Sequence, residues 1–264
     1  IIAFQNYLPG SGFLDNEWVG FKWFEQFFNS IYFFRLLQNT FLISFYNLVW
    51  GFPVPIIFAL LLNETKDGLY KRAVQTVSYL PHFISLVIIV GMVADMVSTQ
   101  GVVNRAIELI GGQPIDFMRS NRWFRTLYVA SEIWQSFGWN SIVYLAAISG
   151  IDTQLYEAAI VDGANRMRRI WHITLPGILP TAIILLILNC GRILAVGSEK
   201  IILMYSPIVY KTADVISTYV YRRGILGADY SFATAVGLFN SSINFILVII
   251  VNSISRRVSE TSLW

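Results

Sequence analysis

The sequence predicts an all-α, multi-pass membrane protein, and three observations carry that prediction. Hydrophobic residues make up 55% and charged residues 13% of the 264 positions, whereas about a quarter of a soluble domain is charged. Apolar runs of about 20 residues recur, the length needed to cross roughly 30 Å of hydrocarbon as helix with every backbone group satisfied internally. No stretch shows the period-two alternation of a membrane barrel strand.

Residues 1–33 mix Trp18, Trp23, several Phe, Pro9, Gly10 and Gly12 with isolated charges, the composition of an extracytoplasmic or interfacial lead segment. The first span is expected at Phe34–Leu62, kinked by Gly51, Pro53 and Pro55. A polar loop from Asn63 to Ala73 leads to the second span, Val77–Val97, interrupted near its start by Pro81-His82. The connection from Ser98 to Arg125 holds Gly111-Gly112 and Pro114, turn signals that divide it into two short helical pieces. Further spans are expected at about Thr126–Ile148, Ile178–Val196 and Phe232–Val251, giving five in all. Between the fourth and fifth, 197–231 carries Pro and Gly breaks and Arg222-Arg223.

The net charge of +3 does not indicate nucleic acid, because the basic residues are scattered among short loops and not gathered on one face. If 63–77, 150–177 and the C-terminal segment face the cytoplasm, they hold eight Lys or Arg against nine in the longer opposite segments. Density favours that sidedness, but the raw count does not separate the two faces. The single cysteine, Cys190, sits in an apolar run as a small hydrophobe and excludes a disulfide framework within the chain.

The polar loop at about 150–177 carries the most specific pattern. It reads Glu157-Ala158-Ala159-Ile160-Val161-Asp162-Gly163, then nine residues, then Ile173-Thr174-Leu175-Pro176. Leu155–Ala164 is expected as a short helix, Gly163 permits a tight turn, Arg166–Ile173 begins a second helix, and Pro176 punctuates the start of the fourth span. An ordinary amphipathic interfacial helix is the plainer alternative.

Glu-Ala-Ala, three residues, Gly, nine residues, Ile, any residue, Leu-Pro resembles the EAA loop of permease subunits of binding-protein-dependent (type I) ABC importers, and it matches at every defined position. The likeness covers essentially the whole chain. Ser78-Tyr79-Leu80-Pro81-His82-Phe83, Ile170–Pro176 and Thr212–Arg222 resemble the branch that imports oligosaccharides and polysaccharide fragments, alginate-type importers included.

The resemblance implies a helical permease bundle over 34–264 in the bacterial inner membrane, with a sixth helix ahead of Ile1 and both true termini cytoplasmic. It makes the loop a cytoplasmic coupling helix that docks into a cleft of an ATP-binding subunit, through Glu157, Ala158, Ala159, Asp162, Gly163, Ile173, Leu175 and Pro176. The implied partners are a second homologous permease, two ATP-binding subunits that hold ATP and Mg²⁺, an extracytoplasmic solute-binding protein, a saccharide and lipid.

No Gly-x-x-x-x-Gly-Lys-Ser/Thr segment occurs, so the chain does not cradle nucleotide phosphates in the P-loop manner. His82 and His172 lie ninety residues apart, and no metal-ligand cluster or catalytic motif is evident. The chain is therefore expected to be non-catalytic and free of its own cofactor.

Polar groups inside spans cost roughly 2.5–3.5 kcal/mol when ionised, and they face partner helices or wet cavities. Asn189 and Arg192 share one side of the fourth span, Glu132, Gln135 and Trp139 one face of the third with Asn140 beside it, and Asn240 and Asn244 one face of the fifth. A saccharide pathway lined by Arg192, Asn189, Asn140, Asn244, Trp139 and Glu132 is one reading, with Arg192 suited to a carboxylated sugar. Interhelical pairing that fixes packing is the other.

A secondary transporter or channel would need inverted repeats with matching broken helices. An enzyme acting on lipid-linked sugars would need clustered interfacial carboxylates. The sequence shows neither.

Overall fold

Helix is the dominant regular structure of the computed structural model, which describes residues 1–12, 14–191, 194 and 196–258. Strand pairing among them is limited to one isolated antiparallel bridge, Gln5–Trp18, in the lead segment. Among the described residues, four helical paths are long and apolar enough to cross a bilayer: Phe33–Asn63, Leu86–Leu109, Arg166–Cys190 and Tyr230–Arg256.

The first path is α2 (Phe33–Gly51) followed by α3 (Pro53–Asn63), preceded by α1 (Lys22–Phe28). Pro53 and Pro55 sit in the first turn of α3, where a missing N–H costs least, and Phe52 between the helices keeps helical dihedrals. The expected kink is thus a short break.

The second span differs from expectation at its start. Residues 77–83 belong to a separate helix, α4 (Leu69–Phe83), which keeps Pro81 in its last turn and ends at Ile84 in an extended conformation. Pro81 has no N–H for the Val77 carbonyl, so the helix stops soon after it. The apolar helix α5 (Leu86–Val97) begins afresh. The connection to the third span contains one helix, α6 (Val102–Leu109), and not two; Gly111 adopts φ +85° and 110–123 carries no further helix. Asn104 closes this connection, its side chain donating to the Ser98 and Ile115 carbonyls at 2.8 and 2.9 Å and accepting from the Ile115 N–H at 2.8 Å.

The third expected span is α7 (Phe124–Ser149). Its 26 residues reach about 39 Å, but Ser131, Glu132, Gln135, Ser136 and Asn140 leave it more polar than the other four. Then follow α8 (Thr153–Val161), α9 (Arg166–Arg169) and α10 (Leu175–Cys190). The fourth span ends at Cys190, short of the expected Val196, and Val196 is buried outside any helix. Short helices α11 (Ser198–Met204), α12 (Tyr210–Ala213) and α13 (Ile216–Val220) precede α14 (Tyr230–Val258), the fifth span.

The chain divides into two compact units. One comprises Ile1–Tyr46, Leu86–Val129 and Gly191–Leu247. Its apolar core joins Phe27, Leu36, Ile216, Tyr219, Phe232 and Val236, with Phe27 edge-on to Phe33, Phe232 and Phe239. Beside that core stands an ionic hub. Asp214, fully buried, accepts both guanidinium nitrogens of Arg222 at 2.8 and 2.7 Å, Arg35 at 3.3 Å and the Thr218 hydroxyl at 2.8 Å. Asn39 on α2 donates to the Asp214 and Lys211 carbonyls and accepts from Arg125 at 2.7 Å. Burial alone would lower the Arg222 pKa, but hydrogen bonds to Asp214 and Tyr205 outweigh it and raise the pKa above its ordinary value.

The other unit comprises Asn47–Ser85, Ala130–Cys190 and Val248–Trp264. Ala59, Tyr144, Ile148, Ile178 and Ala182 form its core. Gly138 of α7 lies against the backbone of α4: a Cβ there would overlap the Ser78 carbonyl. A small residue at this crossing lets two membrane helices approach closely.

Gly138→Ala should therefore destabilise the protein by about 1–3 kcal/mol, since rigid backbone has to move. Gly237, with open space around its would-be Cβ, is the control. Thermal unfolding in detergent should show a lower midpoint for Gly138→Ala and an unchanged or higher one for Gly237→Ala.

Candidate functional site

The loop after the third span folds as the expected helix-turn-helix, and each boundary has a local cause. Asp152 caps α8, its carboxylate accepting from the Gln154 N–H at 2.9 Å. Asp162 ends the helix and Gly163 follows at φ +76°. The Gly163 N–H donates to the Ile160 carbonyl at 3.0 Å and the Ala164 N–H to the Ala159 carbonyl at 2.8 Å, the paired bonds of a Schellman turn. Asn165 then caps α9, accepting from the Arg168 N–H at 2.9 Å.

Beyond α9 the chain stays helical through Pro176, which stands at the second position of α10. Ile170–Thr174 forms a π turn, in which the Leu175 N–H reaches the Ile170 carbonyl, and α10 continues from Leu175 to Cys190. Pro176 has no N–H for the His172 carbonyl and its ring would crowd it, so a widened turn just ahead keeps the helix continuous. The second arm of the hairpin and the fourth span are consequently one helical path, Arg166–Cys190. Tyr156 Oη and Thr174 Oγ1, 3.0 Å apart, tie α8 to that path, and Arg166 lies 3.9 Å from Glu64 at the end of α3.

No residue of α8 is buried. Glu157 shares a face with Ile160 and Val161, which are 56% and 88% exposed, and Leu155, Met167 and Trp171 are exposed nearby. These apolar groups alternate with Asp152, Gln154, Asp162, Asn165 and Arg168, so the hairpin has the polar-rimmed apolar character of a protein-binding surface and not the unbroken apolarity of a lipid-facing span. Ala158 and Ala159 keep its profile low. Ile173 and Leu175 are half-buried and root it.

The polar span residues each lie within their own unit. Arg192 lies outside the described residues. Asn140 and Asn189 are exposed and Glu132 is half-buried. Trp139 is stacked on His82, with ring centroids 4.7 Å apart and planes 2° from parallel, while Phe83 meets it edge-on at 5.2 Å. Asn244 holds backbone: its Oδ1 accepts from the Leu194 N–H at 3.1 Å, and Asn240 donates to the Leu194 carbonyl at 3.3 Å. His82 as the partner of Trp139, and Asp214 as the centre of an ionic hub, were not anticipated. The stretches Ser78–Phe83 and Thr212–Arg222 that carry them stood out only by resemblance.

A left-handed residue costs about 1–2 kcal/mol when it gains a Cβ. Gly163→Ala should loosen the turn by that amount and speed hydrogen exchange at the Ala164 amide. Gly163→Asn, which tolerates this conformation, should lie between the two.

Residues 51–260 match the family model described as the binding-protein-dependent transport system inner membrane component. Protein LplB of Bacillus subtilis is 44% identical over the whole of this chain and 83% of its own length. The polygalacturonan/rhamnogalacturonan transport system permease protein YteP of the same organism is 43% identical over equal shares. A solved bacterial alginate ABC transporter, in complex with an alginate pentasaccharide-bound periplasmic protein, has a chain that superposes with a TM-score of 0.89 at 48% identity, covering 93% of this chain and 85% of that one. With its helical spans, a family match over residues 51–260 and relatives aligned along its whole length, this chain belongs to the inner membrane components of binding-protein-dependent transport systems.

Proposed function

We propose that the chain is the permease subunit of an ATP-driven importer that moves an oligosaccharide or polysaccharide fragment across the bacterial inner membrane. The single observation that carries this is the exposed α8 hairpin, continuous with a membrane span and fitted with an accessible carboxylate at Glu157. The saccharide class rests on the relatives, one named for polygalacturonan and rhamnogalacturonan and one solved with an alginate-bound periplasmic protein. Acidic chains are thus the favoured substrates. Family membership leaves no ground for a secondary transporter or channel.

In this reading the hairpin is cytoplasmic and docks in a cleft of an ATP-binding subunit, which supplies ATP and Mg²⁺. A second permease, a second ATP-binding subunit and a solute-binding protein complete the complex. Nucleotide closure carries the hairpin as a rigid body, and α10 passes that displacement into the membrane. Contacts through Glu157 are the coupling; Asp162 and Gly163 hold the turn, and Ile173, Leu175 and Pro176 form the root.

Glu157→Lys reverses the charge without touching the packed core. Pull-down of the ATP-binding subunit and saccharide uptake should both fall by tenfold or more, in line with roughly 2–5 kcal/mol for an interfacial charge mispaired. Unchanged association and uptake would remove the coupling role.

A further inference from the structure

The lead segment and the turn before α14 line an open cleft of about 460 Å³, within the size range of small-molecule sites. Asn6, Tyr7, Trp23, Arg223, Asp229 and Tyr230 supply its chemistry. The Tyr7 N–H donates to Ser231 Oγ at 2.9 Å and the Tyr7 and Tyr230 rings meet edge-on at 6.4 Å, closing the wall between the two segments. Trp23 is oriented by its indole N–H, which donates to the Gln5 carbonyl at 2.9 Å.

Three features of that wall go beyond packing. Arg223 donates one Nη2 bond to Asp229 at 2.8 Å, and its side chain stays 43% exposed, which leaves other guanidinium hydrogens open to the cleft. Ala228, at φ +53°, is the non-glycine residue held in the left-handed region among the described residues. The chain reaches it through a π turn, Tyr221–Leu226. Strained backbone and π turns concentrate at functional sites.

We infer that this cavity is an outer-face subsite for one pyranose ring of the transported saccharide. Arg223 and Asn6 donate to hydroxyl or carboxylate oxygens, Asp229 accepts from a hydroxyl, and Trp23 and Tyr230 offer amphipathic rings to the apolar face of the sugar. The inference rests on the saccharide-importer reading. It also takes the lead segment to be extracytoplasmic, as read from its aromatic-rich, weakly charged composition.

The test uses the assembled transporter in nanodiscs without its solute-binding protein, titrated calorimetrically with alginate pentasaccharide and with neutral cellopentaose. Wild type should bind saturably, Arg223→Gln should weaken binding about tenfold and Asn6→Ala about threefold. Asn6 is exposed, so its variant keeps the test valid should Arg223→Gln fail to fold. A loss confined to alginate pentasaccharide assigns Arg223 to a carboxylate, and an equal loss for both assigns it to a hydroxyl. No saturable binding by wild type, or equal binding by wild type and Asn6→Ala, overturns the subsite. Uptake by the same complex with its solute-binding protein restored separates the two claims. Normal ATP-driven uptake without cavity binding sinks the subsite alone, whereas ATP hydrolysis with no saccharide uptake sinks the importer reading as well.

Discussion

The continuity of one helical path from the surface hairpin into the membrane is the constraint on which the rest depends. A proline at 176 should break that path, because it removes a backbone donor and pushes its ring into the preceding turn. The π turn at Ile170–Thr174 absorbs the defect, with the Leu175 N–H reaching the Ile170 carbonyl, so that 25 residues from Arg166 to Cys190 remain helical. A helix is stiff along its axis. A push on α8 and α9 is therefore delivered to α10, whereas a flexible loop would dissipate it.

Stiffness at the hairpin has a counterpart in the other unit. Asp214 is withdrawn from solvent and saturated by two arginines and a hydroxyl, while Arg222 lies 4.7 Å over the Tyr210 ring. A buried carboxylate so completely paired is expensive to disturb, since removing one partner leaves an uncompensated charge at about 3–5 kcal/mol. The hub joins α2, through Arg35 and Asn39, to the short helices between the fourth and fifth spans. That otherwise irregular stretch is held as a rigid element beside the Phe27 aromatic core.

What the sequence made legible follows the physics of each signal. Apolar runs and the Glu157–Pro176 spacing are local, and they placed the first and third spans and the hairpin to within a few residues, whereas the second span begins nine residues later and the fourth ends six residues earlier than expected. Pro81 and Pro176 were both read as breaks, but one lies in a last turn and the other is rescued by a π turn, because backbone neighbours decide whether a missing N–H ends a helix. One-dimensional spacing placed Asn244 on a helix face, and only the tertiary structure shows that this side chain accepts from the Leu194 N–H. Asp214 and Arg222 are eight positions apart in a polar stretch, and their burial is a tertiary property. Even so, the match of Gly163 to a left-handed position was readable, since the turn chemistry is local.

The central claim is that the α8 hairpin contacts the ATP-binding subunit from the cytoplasmic side, and site-directed cross-linking measures this directly. Cys190 is the only cysteine, so Ile160→Cys in a Cys190→Ser background gives a single exposed thiol on the Glu157 face. In the assembled transporter that thiol should form a cross-link to a cysteine in the cleft of the ATP-binding subunit, with a yield that changes on ATP binding, and it should resist an impermeant maleimide added outside intact cells. Labelling from outside, or no cross-link to the ATP-binding subunit in a complex that transports, would contradict the account.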